Sequence, residues 1–400
     1  MERNLRLYPH YQTARSLTFW LPVFFLYFSA RLPVDQVLAL EAIYYAGVVV
    51  LEVPSGYLSD RFGRRPTLVV AAAAGTLGYL ALALAPSFHV FVLGQLLLAA
   101  GMAFNSGTDG ALLYDSLLAC GQGDALAEHE GRAQARGLLA MGSAALVGGV
   151  LASIDLRLGH LLSAGGAVVA LALALALREP PQRSPAHAPL RQLRAVVSQW
   201  RQPALRWVFG FAVVMTVFNH VPYELAQPYL ALVLDGSGAA PANPATPAVS
   251  GVVMALMMVV AAAASRASAA LSRRLGPGTL LLGAMLIQGV VIVAMAGWLH
   301  PVVVGLLLLR SVPGALAAPV QLGVILPRIE GRLRATYLSV QSLVGRLAFS
   351  GALVVSAGAV GGLEQLDHEA IRTLGIGFGI ALLVALCVLV PGARSLRSSG

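Results

Sequence analysis

The stretch PSGYLSDRFGRRPTLVV, residues 54–70, places one acid and three arginines within six residues: Asp60, Arg61, Arg64 and Arg65. Gly56 and Gly63 stand beside them, and long apolar runs lie on both sides. A soluble protein would scatter such charges over its surface, since about a quarter of its residues are charged. This chain of 400 residues is 58% apolar and only 11% charged. So few charges cannot clothe a soluble surface, but they suffice for a chain dissolved in lipid. Its apolar runs reach the ~20 residues that a bilayer demands. We place twelve spans: 13–31, 37–58, 66–86, 89–117, 135–154, 160–177, 204–232, 249–270, 278–298, 301–326, 335–358 and 371–391. The first is short, and snorkelling by Arg15 and Arg31 would carry it to the two interfaces.

The net charge of +9 comes from arginine alone, because the chain has no lysine. A basic chain raises the question of nucleic acid, and the placement of the charge answers it. With a cytoplasmic N-terminus, all but five of the 27 arginines fall in cytoplasmic tails and loops. Arg31, Arg157 and Arg372 face the other side, while Arg310 and Arg346 lie within spans. That bias is the positive-inside rule. It predicts a multi-pass inner-membrane protein with both termini cytoplasmic, and it excludes nucleic acid as a partner. Phe28 in YFSA, where a cleavage site needs a small residue, argues that span 1 is retained.

No enzyme signature emerges. Without lysine there is no P-loop, and GIGFG (375–379) sits in an apolar span with no preceding strand. HEGRA (129–133) and HEAIR (368–372) lack the second histidine of a zinc site. Cys120 and Cys387 have neither disulfide nor metal spacing. We expect no enzyme activity, no cofactor and no metal, and an energy source that is a gradient rather than bound ATP.

An internal repeat divides the chain. LSDRFG (58–63) follows span 2 and LSRRLG (271–276) follows span 8; EGRAQA (130–135) follows span 4 and EGRLRA (330–335) follows span 10. Two matches in the same order at equivalent points argue for a six-plus-six design. The Pro- and Arg-rich connection 178–203 would be the cytoplasmic linker between an N-terminal bundle, 1–177, and a C-terminal bundle, 204–400.

GYLSDRFGRRPTL resembles the signature loop of the major facilitator superfamily, in the position where that family carries it, and the likeness covers the whole chain. EVPSGYLSDRFGRR, SGTDGALLYDSL and RATYLS resemble segments of prokaryotic members, many of them drug or metabolite exporters. The resemblance implies an all-α membrane protein of twelve transmembrane helices in two pseudo-symmetric six-helix bundles. It also implies that Asp60 docks near the start of span 11, where amides around Ala335 and Thr336 would favour a carboxylate by about 0.3–1 kcal/mol, or up to ~2 when partly buried. Arg64 or Arg65 would then pair with Asp115. Gly56, Asp60, Arg61, Gly63, Arg64, Arg65 and Asp115 thus form a candidate gate, with the arginines also holding the loop on the cytoplasmic side. The alternative is a solvated loop that only fixes topology.

A charge near the bilayer centre costs roughly 2.5–3.5 kcal/mol on insertion scales, so such groups are candidates for function. They are Glu41 and Glu52 in span 2, Asp109 in span 4, Glu224 in span 7, Arg310 in span 10 and Arg346 in span 11, with Asn105, Asn219 and His220 as neutral companions. The resemblance implies that spans 1, 4, 7 and 10 line a central cavity, which favours Asp109, Glu224 and Arg310. Span directions allow a Glu224–Arg310 pair. Glu52 and Asp109 share the inner half of the first bundle, where two nearby carboxylates would raise one proton affinity. Structural pairing between helices is the alternative for each.

Proton-driven exporters of the family carry g-x-x-x-G-P-x-x-G-G in span 5; here AMGSAALVGG (140–149) keeps Gly148 and Gly149 but lacks the proline. The reading is a monomeric secondary transporter working by alternating access, with proton-coupled export of a small amphipathic molecule favoured on the family resemblance. Uptake of a small metabolite, or a non-transporting sensor with the same fold, are the alternatives.

Overall fold

A computed structural model describes residues 1–181, 188–235, 246–359 and 368–396; within those helices a few side chains, Tyr223 and Glu224 among them, lie outside the described set. The described residues are helical and contain no strand. In chain order the helices are α1 (Glu2–Arg15), α2 (Phe24–Ser29), α3 (Val34–Phe62), α4 (Arg64–Leu84), α5 (Phe88–Asn105), α6 (Thr108–Ala119), α7 (Leu126–Leu151) and α8 (Leu158–Ala176). There follow α9 (Pro189–Ser198), α10 (Pro203–Asp235), α11 (Thr246–Leu275), α12 (Pro277–Gly297), α13 (Pro301–Leu307), α14 (Val312–Ile325), α15 (Arg334–Ala359) and α16 (His368–Gly392). Nine helical segments among the described residues are long and apolar enough to cross a membrane. With α3, α15 and the broken first span, this is consistent with twelve crossings.

Apolar residues point in two directions, as a membrane protein requires. Leu84, Val150, Val355 and Val388 are exposed where lipid would replace water, while Leu40, Leu112, Phe211 and Leu281 are fully buried between helices. α3, α4, α5 and α8 pack together and α1 packs on α7 and α8; α10, α12, α15 and α16 form the corresponding group, with α11 against α14. The two groups meet most extensively where α7 lies along α11, and also where α3 meets α15. Small residues permit the close approach: a Cβ on Gly251 would stand 2.6 Å from the Ala145 carbonyl, and one on Gly142 would stand 3.0 Å from the Met258 Cβ.

The sequence repeat has a structural counterpart. α3 turns into α4 through Gly63 at φ 113°, and α11 turns into α12 through Gly276 at φ 82°. Only glycine adopts such angles without strain, so both LSxRxG copies end on a residue built for the reversal.

Three spans differ from the sequence reading. Span 1, expected over 13–31, begins at Glu2, and its first helix ends at Arg15 ahead of a break over 16–20. Its polar opening turns are helical because they face protein rather than lipid: Asn4, Tyr8, Tyr11 and Gln12 are buried. Arg15 does not snorkel to an interface; it is turned inward against Asp109. Span 4 is interrupted at Ser106–Gly107, where Gly107 takes φ 71°. Span 10 is interrupted over 308–311, a stretch that contains Arg310.

Candidate functional site

The 54–70 stretch ends α3 and begins α4 at one end of the bundle, here termed the loop end. There Asp60 is completely buried. Its carboxylate accepts from the Ala335 backbone N at 3.2 Å and the Thr336 backbone N at 2.8 Å, and from the Thr336 hydroxyl. These are N-terminal amides of α15, in the opposite half, so the helix dipole favours the charge. Gly56, one turn deeper, makes this approach feasible: a Cβ there would stand 2.5 Å from the Ser339 hydroxyl and 2.9 Å from the Ala335 carbonyl.

Arg64 is 1% exposed and spends its donors in four directions. It donates to Asp60, to the Ser59 hydroxyl at 3.2 Å, to Asp115 Oδ2 at 3.3 Å and to the Gly331 carbonyl at 2.6 Å. The second oxygen of Asp115 accepts from Arg334, whose guanidinium lies 4.3 Å over the Tyr114 ring. Two acids and two arginines are thus interleaved across the halves. Gly131, in the first EGR copy, packs against Ser265 of α11, while Gly331, in the second, accepts from Arg64. Each repeat copy therefore touches the other half.

Between the two arginines suggested for Asp115, the structure selects Arg64. Arg65 instead donates to the Leu175 carbonyl at 2.8 Å. Arg61 is exposed and donates to the Tyr57 hydroxyl at 2.8 Å. Glu179 caps α4, accepting from the backbone N of Arg64 and of Arg65 at 2.7 Å each. Burial pushes its carboxyl above the ordinary range, and those two amides act in the opposite direction.

The connection 178–203 is more than a tether. Its helix α9 inserts Gln192, fully buried, beneath the junction. The Gln192 amide donates to Asp60 and to the Thr336 hydroxyl, both at 3.3 Å, and to the Arg332 carbonyl.

Deeper in the first bundle a second polar array surrounds the break in span 4. Asp109 accepts from Asn105 Nδ2 at 3.0 Å and Gln12 Nε2 at 2.9 Å, takes the Gly110 backbone N at 2.8 Å, and pairs with Arg15 at 3.5 Å. Tyr11 donates to Asn105 at 2.7 Å. The Gln12 amide also donates to the Tyr8 hydroxyl at 2.7 Å, and Tyr8 donates to Glu130 at 2.9 Å. Two carboxyl groups, one arginine and two phenols are therefore linked through Gln12 and Asn105.

Glu52 takes other partners than Asp109. It accepts from the Ser106 hydroxyl at 2.6 Å and lies 3.9 Å from Arg346 of α15, which crosses between halves. The acid linked to Asp109 is Glu130, not Glu52. Glu41 is half-buried in α3. In the second bundle His220 Nδ1 meets the Thr216 carbonyl at 2.7 Å and its ring lies 4.6 Å from Phe349. The Asn219 amide faces Gly314, and among the described residues its Oδ1 has no partner. Arg310 lies half-buried in the span 10 break. The side chain of Glu224 is outside the described residues, so the Glu224–Arg310 pair stays an expectation. Among the described residues no cluster of His, Cys, Asp and Glu has the makings of a metal site.

A match to the family model of the Major Facilitator Superfamily runs from residue 11 to residue 353. The chain belongs to the Major Facilitator Superfamily. Solved structures of this superfamily share its fold. The human organic anion transporter MFSD10 (TETRAN) matches with a TM-score of 0.71 at 16% identity, covering 97% of this chain and 99% of that one. A bacterial homologue of the iron transporter ferroportin, in an outward-facing state with soaked iron, gives 0.69 at 17% identity over 98% and 99%. FucP, in its outward conformation, gives 0.69 at 14% over 100% and 99%. Among curated proteins none matches the sequence. As a Major Facilitator Superfamily member the chain is a multi-pass membrane transporter, and its membership points away from enzyme activity.

Several polar residues of these sites were not picked out as site residues from the sequence: Tyr8, Tyr11, Gln12, Arg15, Glu130, Gln192 and Arg334. A signal was present for the first group. Asn4, Tyr8, Tyr11, Gln12 and Arg15 recur at helical spacing and form one face, but all of it except Arg15 lay ahead of the apolar run taken as span 1.

Proposed function

We propose that this protein is a proton-coupled secondary transporter that exports a small amphipathic molecule across the inner membrane by alternating access. In the proposed topology the termini, the loop end and the 178–203 linker between bundles 1–177 and 204–400 are cytoplasmic. The buried Asp60–Arg64–Asp115–Arg334 junction then closes the cytoplasmic side. Its partners come from both halves, so every one of those cross-contacts must break when the halves separate. This is the property a gate needs: differential stabilisation of one of two states.

The observation that carries the coupling is the Asp109–Arg15 pair at the discontinuity of span 4. Broken helices place ionisable groups near the midplane of transporters, where substrate and coupling ion bind. A carboxylate held by one arginine and two amides can exchange its partner for a proton or for a cationic group of the substrate. Asn219, His220, Arg310 and Glu224 would line the facing half, with Glu41, Glu52 and Arg346 at its margin. The chain is taken to act as a monomer.

The test uses inverted vesicles acidified inside and a pH-sensitive dye, with a panel of lipophilic cations, weak bases and organic anions added outside. Export by exchange predicts that at least one compound releases lumenal protons in wild type, and that Asp109→Asn abolishes the release. A symporter working in the uptake direction gives no release when substrate is added to that face. Release of equal size in Asp109→Asn would remove this site from the coupling.

A further inference from the structure

Glu130 is the buried acid that the proposed mechanism leaves unused. It stands in the first turns of α7 with 9% of its surface exposed. Among the described residues its hydrogen-bond donor is a single neutral hydroxyl, Tyr8, at 2.9 Å. Asp109, by contrast, collects two side-chain amides, a backbone N–H and the Arg15 guanidinium. Among the described residues no ion pair reaches Glu130: Arg15 of α1 is turned to Gln12 and Asp109, and Arg132 is turned outward to Glu128. The charged or titratable groups around it are Tyr8 and Arg15 on α1, Asp109 on α6, and Glu128, His129 and Arg132 on its own helix. α11 brings the neutral Ser265 hydroxyl, held by Gln134 at 2.7 Å, and Arg273, whose guanidinium lies 3.9 Å from Glu128. A carboxyl group buried with a neutral partner and a second acid in its network favours the proton-bound form.

The seal over this position belongs to the other half. The carbonyl of Gly131, the next residue, accepts from the Ser265 hydroxyl at 3.1 Å, and a Cβ on Gly131 would stand 2.7 Å from the Ser265 carbonyl. Pro319 of α14 lies 3.7 Å from the same point. Separating the halves at the loop end therefore removes the cover beside Glu130 and lets water reach it.

We infer that Glu130 is a proton-binding site whose occupancy is tied to the gate: it holds a proton while the loop end is shut and gives it to loop-side water when the halves part. In that step the Oε–H bond breaks, the electron pair stays on the carboxylate, and the proton passes to water. The newly charged oxygen keeps the Tyr8 donor and gains water donors. Gln12 links this site to Asp109 without itself carrying a proton. The inference rests on the transporter reading for its purpose, yet it is testable without any substrate.

The experiment is an infrared pH titration of the full chain in lipid nanodiscs, following the carbonyl stretch of protonated carboxyl groups between about pH 5 and about pH 9. Wild type should show a band that vanishes on raising the pH. Glu130→Gln should lose that band, Asp109→Asn should keep one, and Glu130→Asp should restore it with a shifted midpoint if the glutamine variant folds poorly. A second titration uses a clamp, Ala127→Cys with Gly323→Cys, in a background lacking Cys120 and Cys387. A Cβ on Gly323 would lie 3.2 Å from that of Ala127, close to disulfide reach. Oxidising the clamp should tighten proton binding about tenfold, one pH unit. An unchanged band in Glu130→Gln overturns the site, and an unchanged midpoint in the clamped protein overturns its link to the gate. A normal titration together with absent flux would sink the transporter reading alone.

Discussion

Replacing Asp60 by asparagine keeps the shape of the side chain and removes its charge. Only contacts that break on opening count toward the change in gating. These are the two α15 amides, the Thr336 hydroxyl, and the Gln192 amide that also reaches Thr336 and the Arg332 carbonyl. The Arg64 contact lies within one half and persists in both states. Hydrogen bonds to a charged group contribute about 1.5–3 kcal/mol, and a partly buried helix N-terminus adds up to ~2 kcal/mol. Asparagine keeps one acceptor oxygen but points an N–H2 at a wall of donors. Allowing for that retained acceptor, the shut state should lose about 2–4 kcal/mol relative to the open one, or about 30- to 700-fold in the equilibrium. Ser265→Cys, buried at the α7–α11 seam, reports the open population through its maleimide labelling rate in a background without Cys120 and Cys387. Asp60→Asn should raise that rate by the stated factor while the protein stays folded and monodisperse. A rate within twofold of wild type would refute the argument that this carboxylate holds the halves together.

Other substitutions probe the remaining contacts. Gly56→Val should act in the same direction as Asp60→Asn, because its Cβ would collide with Ser339 and the Ala335 carbonyl; normal Ser265→Cys labelling would contradict this. Gln192→Ala removes the linker's hold and should cost the shut state about 1–2 kcal/mol, read as a labelling rate raised roughly 5- to 30-fold. Arg15→Gln leaves Asp109 without its cation and should lower thermal stability by about 1–3 kcal/mol, with Arg15→Lys recovering part of it; an unchanged melting temperature would refute a stabilising role for the pair.

The parts of this fold that the sequence disclosed are those where chemistry and hydropathy coincide. Apolar runs marked the spans, and the docking of Asp60 on Ala335 and Thr336 is what the family resemblance of the 54–70 stretch implied. Helices that face protein on most sides were harder to read. α1 carries Arg3, Arg6, Pro9 and Arg15, a composition that hydropathy assigns to a tail, yet it is a helix because its polar face finds Ser116, Glu130, Asn105 and Asp109 within the bundle. The breaks at Ser106–Gly107 and 308–311 were invisible for a related reason: apolar sequence on both sides sustains the period of a span whether or not one turn of backbone is diverted. Glu130 was noticed only as part of a repeat, and the packing of its neighbour Gly131 depends on Ser265, 134 positions away in the other half. Gln192 lay in a stretch read as a cytoplasmic linker; neither its docking nor its partners follow from local composition.

The central claim is that two helical bundles exchange closure at one end for closure at the other. Pulsed electron–electron distance measurements on two spin-labelled pairs test it directly, with Asp124→Cys and Arg273→Cys at the loop end and Ile154→Cys and Trp298→Cys at the far end, each pair in a chain free of native cysteines. All four positions are exposed. The account predicts that Asp60→Asn lengthens the loop-end distance and shortens the far-end one in the same molecules. Distances that stay fixed at both ends, or that lengthen together, would contradict it.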